Sequence, residues 1–248
     1  MNANEIGEIM KKISETLKNV RLPYCSAVIV AGGSSTRFGT DKLFAEIGGV
    51  PVLGRTLEAF AAAGCIQEIV LVVRPAIMDR ASRLARAYGG GKVSLAVPGG
   101  ESRTLSAYAG VMSASKKARL IAIHDGARPL VSHAVIEDAV WAAYRYTAAA
   151  PAIAVRDTIK IASGGVVDST PDRETLFAIQ TPQVFQADII RAALCAAAER
   201  NWNPTDDCAA AEAIGAQIVL TQGSEENIKI TTPLDLALAE LIVGRRES

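Results

Sequence analysis

Short runs of valine, isoleucine and alanine recur along this chain with no polar alternation inside them. CSAVIVA at 25–31 and EIVLVV at 68–73 are apolar at odd and even positions alike. A strand that can be wet on neither face must lie in a sheet covered on both sides, and such sheets are mostly parallel, with helices as crossovers. Similar runs stand at 93–97, 120–124, 152–155, 217–220 and 228–230. Between them, apolar residues at three- and four-residue spacing predict helices near 51–63, 75–88, 102–115, 132–149, 187–200, 206–214 and 233–243. The expectation is an α/β domain of Rossmann-like type, with a mostly parallel sheet, helices on both faces and right-handed crossovers. At 248 residues, half of them hydrophobic, one domain over 23–248 can hold it all.

Two stretches fall outside this rhythm. Residues 156–180, RDTIKIASGGVVDSTPDRETLFAIQ, carry a turn signal at Ser163-Gly164-Gly165 between short β-like pieces. This predicts a hairpin arm projecting from the sheet. An arm buries little unless something covers it, which suggests a homodimer. Residues 4–20 place Ile6, Ile9, Ile13, Leu17 and Val20 at helical spacing among charges, so 1–22 is expected to be an amphipathic helical extension rather than a signal core.

Lys plus Arg equals Asp plus Glu, at 26 each, so the chain offers no field suited to nucleic acid or an anionic membrane. An anion site must be local. No apolar run approaches the roughly 20 residues that span a bilayer. The cysteines, Cys25, Cys65, Cys195 and Cys208, form no C-x-x-C pair. They are expected to be reduced thiols in a cytoplasmic protein.

In an open α/β sheet, ligands bind beyond the carboxyl ends of the strands. After the first run comes Ala31-Gly32-Gly33-Ser34, then Arg37 and Lys42. Small residues let backbone N–H groups approach an anion, and the two cations add fixed charge, as a triphosphate cradle requires. The loop has neither the dinucleotide fingerprint G-x-G-x-x-G nor a Walker sequence, which argues against a nicotinamide-dependent oxidoreductase. After the third run, Gly99-Gly100-Glu101 permits close approach to a planar base, and Ser106 is placed to bond a base edge. After the fourth, Asp125 can bond an acceptor hydroxyl or approach a metal–phosphate complex, and Arg128 can fork onto a phosphate. His124 reads as a structural, hydrogen-bonded histidine and His133 as a surface one. Lys229, inside a short apolar run, must send its ammonium to an anion or to solvent.

No set for covalent catalysis is present: there is no G-x-S-x-G elbow, and two histidines leave little room for a triad. That suits one reaction class. A phosphate monoester, with a second pKa near ~6, is largely dianionic at neutral pH and attacks an α-phosphate without a base. The protein then supplies alignment, worth about 7–11 kcal/mol, and charge neutralisation by Arg37, Lys42, Lys229 and magnesium.

Taken in order, these stretches resemble the 2-C-methyl-D-erythritol 4-phosphate cytidylyltransferases of the non-mevalonate isoprenoid pathway. AGGSSTRFGTDK, GGESRTLS, HDGARP, RDTIK, the DR…QTPQVF stretch, TDD and NIKITTPLD carry the resemblance between about residues 26 and 240. It implies a nucleotidyltransferase-type fold joining CTP to a sugar-alcohol phosphate. The first loop, with Arg37 and Lys42, would hold the triphosphate and stabilise the pentacoordinate phosphorus. Gly100, Glu101 and Ser106 would surround the cytosine. Asp125, Arg128 and Thr181 would serve the acceptor, and Lys229 the transferring phosphoryl group. Thr158 and Arg173, on the arm, would serve the neighbouring subunit's site. Mg²⁺ would be held mainly by CTP oxygens, with Asp125 able to approach it. The loop departs from the family pattern: Arg37 and Lys42 are only five apart, and Gly-Ser-Ser-Thr stands for the common Gly-x-Gly. The nearest alternative is an enzyme for ribitol 5-phosphate or a related alditol phosphate. A third reading is a catalytically silent CTP-binding module, against which Arg37, Lys42 and Lys229 together argue.

Overall fold

The computed structural model describes residues 22–32 and 41–246. The strands are β1 (Cys25–Ala31), β2 (Glu46–Ile47), β3 (Val50–Pro51), β4 (Glu68–Val73), β5 (Val93–Pro98), β6 (Leu120–Asp125), β7 (Ala148–Ala154), β8 (Ile161–Ser163), β9 (Val166–Ser169), β10 (Phe177–Ile179), β11 (Gln183–Gln186) and β12 (Ile218–Gln222). The α-helices are α1 (Val52–Ala62), α2 (Met78–Tyr88), α3 (Arg103–Ser113), α4 (His133–Tyr146), α5 (Ala187–Glu199), α6 (Asp207–Glu212) and α7 (Pro233–Arg246). The expected helical extension at 1–22 lies almost wholly outside the described residues.

The main sheet runs β10-β7-β11-β6-β1-β4-β5, with β12 also paired to β7. Its β6-β1-β4-β5 half is parallel, as the doubly apolar runs predict. In β1, Ala27, Ile29 and Ala31 pack with Leu57 and Phe60 of α1 and Ile136 of α4. Val28 faces the other way, toward Val111 of α3 and Leu194 of α5. Each valine or isoleucine fully buried there contributes about 1.5–3 kcal/mol, and the one polar residue of the run, Ser26, is buried only because its hydroxyl donates to the Glu68 carboxylate of β4.

The other half departs from expectation in three places. The helix expected over 132–149 ends at Tyr146, and Thr147, at φ 87°, breaks it. Ala148, Ala149 and Ala150 instead open β7, which therefore starts well before the expected 152–155. Alanine is the best helix former, but here both flanks of β7 pair, antiparallel with β11 and parallel with β12, and tertiary pairing overrides the propensity. The missed β11, QVFQ, runs antiparallel to β6 as well, so the sheet is mixed while remaining mostly parallel, as expected.

No strand forms at 228–230. That segment is extended but outside the ladders: Ile230 donates its N–H to the Ala127 carbonyl at 2.8 Å. Ile230 is buried with Ile47, Leu130 and Ile242 of α7, and Ile228 packs against the same cluster. The alternation that looked like a strand is real, and it turns Lys229 away from this cluster.

The arm has the expected hairpin, but it is shorter than the expected 156–180: residues 177–179 return to the main sheet as β10, paired with β7, and Gln180 is buried. β8 and β9 pair antiparallel as a separate two-stranded sheet, joined by Gly164 (φ 58°) and Gly165 (φ 83°). Those left-handed angles cost little only for glycine. Every residue of both strands is exposed.

Candidate active site

The carboxyl ends of β1, β4, β5 and β6 converge on a cleft of about 640 Å³, lined among others by Ala31, Gly32, Lys42, Gly100, Glu101, Ser106, Asp125 and Lys229. On one wall, a side chain at Gly32 would meet the Ser106 hydroxyl at 3.2 Å, and one at Gly100 would strike Leu105 Cβ at 2.5 Å. The bare backbone is what keeps this wall open. Ser106, one turn into α3, directs its hydroxyl at the Ser102 carbonyl (2.9 Å), leaving its lone pairs available as acceptors. Lys42 starts a short 3₁₀ turn, Lys42–Phe44, capped by Asp41, whose carboxylate accepts the Leu43 N–H and binds the Arg74 guanidinium at 2.6 Å.

The opposite wall centres on Asp125, at the end of β6 and only 8% exposed. Lys229 Nζ stands 2.9 Å from its Oδ2, Arg128 Nε 3.7 Å from the same oxygen, and Arg103 Nε 3.5 Å from its Oδ1. Burial alone would raise the carboxyl; the Lys229 ammonium and then the Arg103 guanidinium outweigh it and hold it well below the usual carboxylate range. Asp125 is therefore a fixed anion that orients cations. It is no proton donor at neutral pH.

Behind Asp125 lies a chain of hydrogen bonds. The Asp125 N–H donates to Thr181 Oγ1 at 3.2 Å, and that hydroxyl lies 2.9 Å from His124 Nδ1. His124 Nε2 lies 3.2 Å from the Arg128 carbonyl. A neutral ring protonated at Nε2 satisfies every member: Thr181 donates to Nδ1 and Nε2–H to the carbonyl. Burial pushes the imidazole from the usual 6.5 down to about 4, although the Arg128 carbonyl favours its charged form. The histidine is structural, as its position in the sequence suggests.

A family model described as 2-C-methyl-D-erythritol 4-phosphate cytidylyltransferase matches residues 25–245. The chain is 42% identical over 224 residues to the protein of that name from Caldanaerobacter subterraneus subsp. tengcongensis, covering 89% of this chain and 99% of the relative. A second relative of the same name, from Desulforamulus reducens, is also 42% identical and is covered to 96%. The crystal structure of 4-diphosphocytidyl-2C-methyl-D-erythritol synthase from Anaerococcus prevotii superposes with a TM-score of 0.81 at 30% identity, over 90% of this chain and 97% of that one. The chain belongs to the 2-C-methyl-D-erythritol 4-phosphate cytidylyltransferase family.

The structure places in three groups those residues carried over from that family that it describes. Ala31, Gly32, Lys42, Gly100, Glu101, Ser106, Asp125 and Lys229 share the cleft. Gly33, Ser34 and Arg37 lie outside the described residues. Arg128 and Thr181 stand behind the wall: Arg128 Nη1 donates to the Asn227 carbonyl at 2.6 Å, and Thr181 is 4% exposed with its hydroxyl committed to His124. In this conformation both brace Asp125 and line no part of the cleft. Thr158 and Arg173 are exposed on the arm, where Arg173 donates to the Arg156 carbonyl at 3.2 Å.

Sequence reasoning in terms of the cytidylyltransferase family passed over Arg74 and Arg103, which both line the cleft. Arg103 had a usable signal. It is the first residue of α3, where a cation opposes the helix dipole and calls for an acidic partner.

Proposed function

We infer that this protein transfers CMP from CTP to 2-C-methyl-D-erythritol 4-phosphate, giving 4-diphosphocytidyl-2-C-methyl-D-erythritol and pyrophosphate. The observation that carries this is the pairing, across one cleft, of Lys42 on the glycine-rich side with the Lys229–Asp125 ion pair on the other, in a chain of this family. A phosphate oxygen of the acceptor attacks the CTP α-phosphorus, the bond to the β-phosphate oxygen breaks, and pyrophosphate leaves. The attacking dianion needs no base. Lys42 and Lys229, with Arg37, stabilise the charge that gathers on the α-phosphate oxygens in the transition state. The glycine-lined wall with Gly100, Glu101 and Ser106 takes the cytosine, and the Asp125 wall, with Arg128 and Thr181 supporting it, takes the acceptor.

Magnesium fits this cleft as an ion carried by the triphosphate. Among the described residues no group of three or more metal-ligating side chains gathers, and the Asp125 carboxylate already faces three cations. Asp125 and Glu101 are the carboxylates that line the cleft, and the metal, when bound, would neutralise phosphate charge.

The assembly proposed with this reaction is a homodimer through the arm, each arm bringing Thr158 and Arg173 to the neighbouring site. Support comes from Ile161, Val166 and Val167, apolar yet more than half exposed. No helix among the described residues is long and apolar enough to cross a membrane. Free cysteines, three of the four buried, suit a reducing compartment, and we place the enzyme in the cytoplasm.

The deciding experiment is pyrophosphate release with CTP and Mg²⁺, offering 2-C-methyl-D-erythritol 4-phosphate, ribitol 5-phosphate or no acceptor. Release with the first alone is the expected result. Release with ribitol 5-phosphate alone would keep the CTP site and overturn the acceptor; no release with either, with CTP still bound, would favour a silent binding module.

A further inference from the structure

Arg103 and Asp207 have no part in the chemistry just described, yet they are built into it. Arg103 spans two acids: Nη2 lies 2.7 Å from Asp207 Oδ2, and Nε lies 3.5 Å from Asp125 Oδ1. Burial lowers the affinity of the guanidinium for its proton, but Asp207 and then Asp125 more than restore it, so Arg103 stays charged. Asp207 is 1% exposed and is the first residue of α6. It is held there by a rigid frame. Gln183 Oε1 accepts the N–H groups of Asp207 and Cys208, both at 3.0 Å. Gln183 Nε2 donates to Asp206 at 2.7 Å, and Asp206 caps the helix by accepting the Ala209 N–H at 2.8 Å.

The two oxygens of Asp125 are thereby divided. Oδ1 faces Arg103, and Oδ2 faces Lys229 at 2.9 Å. We propose that Arg103, anchored by Asp207, is a positioning residue for the transfer step, holding Oδ1 of Asp125 so that Oδ2 keeps the Lys229 ammonium directed at the reacting phosphates. The proposal rests on the reaction assigned above.

The arrangement needs the two-armed geometry of arginine, since a lysine carries the same charge but is a single point and cannot serve both acids. It also needs the anchor. Without the Asp207 charge, Arg103 is released to pair fully with Asp125, competing with Lys229 and adding unbalanced positive charge to the cleft. That charge attracts the triphosphate in the ground state as well as in the transition state, so it aids binding without aiding turnover.

The test uses the full-length protein with Arg103→Lys, Asp207→Asn and Asp207→Glu. It measures CTP affinity by titration with Mg²⁺, turnover by pyrophosphate release, and thermal midpoint. Turnover of the unaltered protein on the two candidate acceptors reads the acceptor assignment. The variant-to-parent ratio, on whichever acceptor supports turnover, reads the positioning. Arg103→Lys and Asp207→Asn should lower kcat about 10- to 100-fold, as a misplacement of a reacting group by roughly an ångström does. CTP should bind as well as before or more tightly, and Asp207→Glu should recover part of the loss. A double variant, Arg103→Lys with Asp207→Asn, should be little worse than either single one, because both break the same bridge. If Arg103→Lys keeps kcat within twofold, no bridge is required and the proposal is wrong. If CTP affinity falls in step with kcat, Arg103 is a nucleotide ligand and the positioning role is equally overturned. Should Asp207→Asn fail to fold, Arg103→Lys decides alone, since it leaves α6 and its cap untouched.

Discussion

The Asp125 wall and the 156–180 arm carry charged groups in opposite surroundings. On the wall, the buried Asp125 carboxylate faces three cations within a few ångströms, of which Arg128 is mostly buried with it and Lys229 and Arg103 reach out to the cleft. On the arm, Arg156 pairs with Glu225 in full solvent, and the strands beside it show apolar side chains to water. An exposed pair contributes about 0–1 kcal/mol, whereas breaking a buried one costs about 3–5 kcal/mol. The wall is therefore preorganised within one chain. The arm is tied to the sheet at its base through β10, while its β8–β9 hairpin stands uncovered in the single chain. In the proposed reading, the difference separates residues that set the rate from residues that set who binds.

The sharpest way to break this division is to remove a charge from the cleft. Lys229→Ala and Lys42→Ala should each lower kcat by about 10²–10³, the loss typical for one preorganised donor at a developing charge. CTP affinity should change far less, because these charges act mainly in the transition state. Steady-state kinetics beside equilibrium CTP titration reads both numbers. A loss confined to KM would make the lysines ordinary binding groups and leave the wall no special role in rate.

The next effect is one of stability and probes the support of the wall. His124 is neutral in the folded protein, with its imidazole lowered to about 4 from the usual 6.5. The unfolded chain binds the extra proton between about 6.5 and about 4, so stability falls as pH is lowered across that window, by about 3 kcal/mol in all. Asp125 acts in the other region. Its carboxyl is held down in the folded state, so its contribution is present above the ordinary carboxylate range and fades only in stronger acid. Urea unfolding at pH 7.5 and pH 5 should show the histidine slope in the parent and a much flatter one in His124→Asn. Equal slopes would mean that the ring is charged when folded and the hydrogen-bond chain behind Asp125 is misread.

The same contrast explains what the sequence could tell. The parallel half of the sheet was legible because β1 and β4 are apolar on both faces, a pattern only doubly covered strands require. The cleft was legible because strand ends collect ligands, because Gly32 and Gly100 sit just after β1 and β5, and because Lys42 closes the glycine-rich segment that follows β1. β7 and β11 were hidden for a local reason. AAA at 148–150 favours a helix on propensity, and QVFQ is too short to declare itself; long-range pairing alone makes them strands. Arg128 and Thr181 were assigned to the acceptor by resemblance, and residue identity cannot reveal that in this structure their polar atoms are spent on Asn227 and His124.

A smaller effect is expected from the arm. Arg173→Ala should raise the KM for the acceptor about tenfold, in keeping with loss of one charge-assisted contact. The KM for CTP should hardly move. Mixing sharpens this. Arg173→Ala and Lys229→Ala proteins, combined and allowed to exchange subunits, should at low acceptor concentration show more activity than the two measured separately, because a heterodimer contains one site with both residues intact. No recovery after proven exchange would confine Arg173 to its own chain.

The smallest effect on the fold should come from the most exposed residues. Val166 is 69% exposed and Val167 55%, and both lie on β9, which pairs only with β8. Replacing both with aspartate removes no core contact, so monomer stability by denaturant should change by no more than about 0.5 kcal/mol, as at ordinary surface sites. Assembly should respond quite differently. Two carboxylates placed in an apolar interface must be desolvated without partners, so light scattering should show a dimer giving way to monomer. Activity should fall with it, at high acceptor KM, while CTP still binds. A double variant that remains dimeric would remove the covered-arm reading and return the β8–β9 hairpin to the status of a solvated one, leaving the cleft of a single chain as the whole of the site.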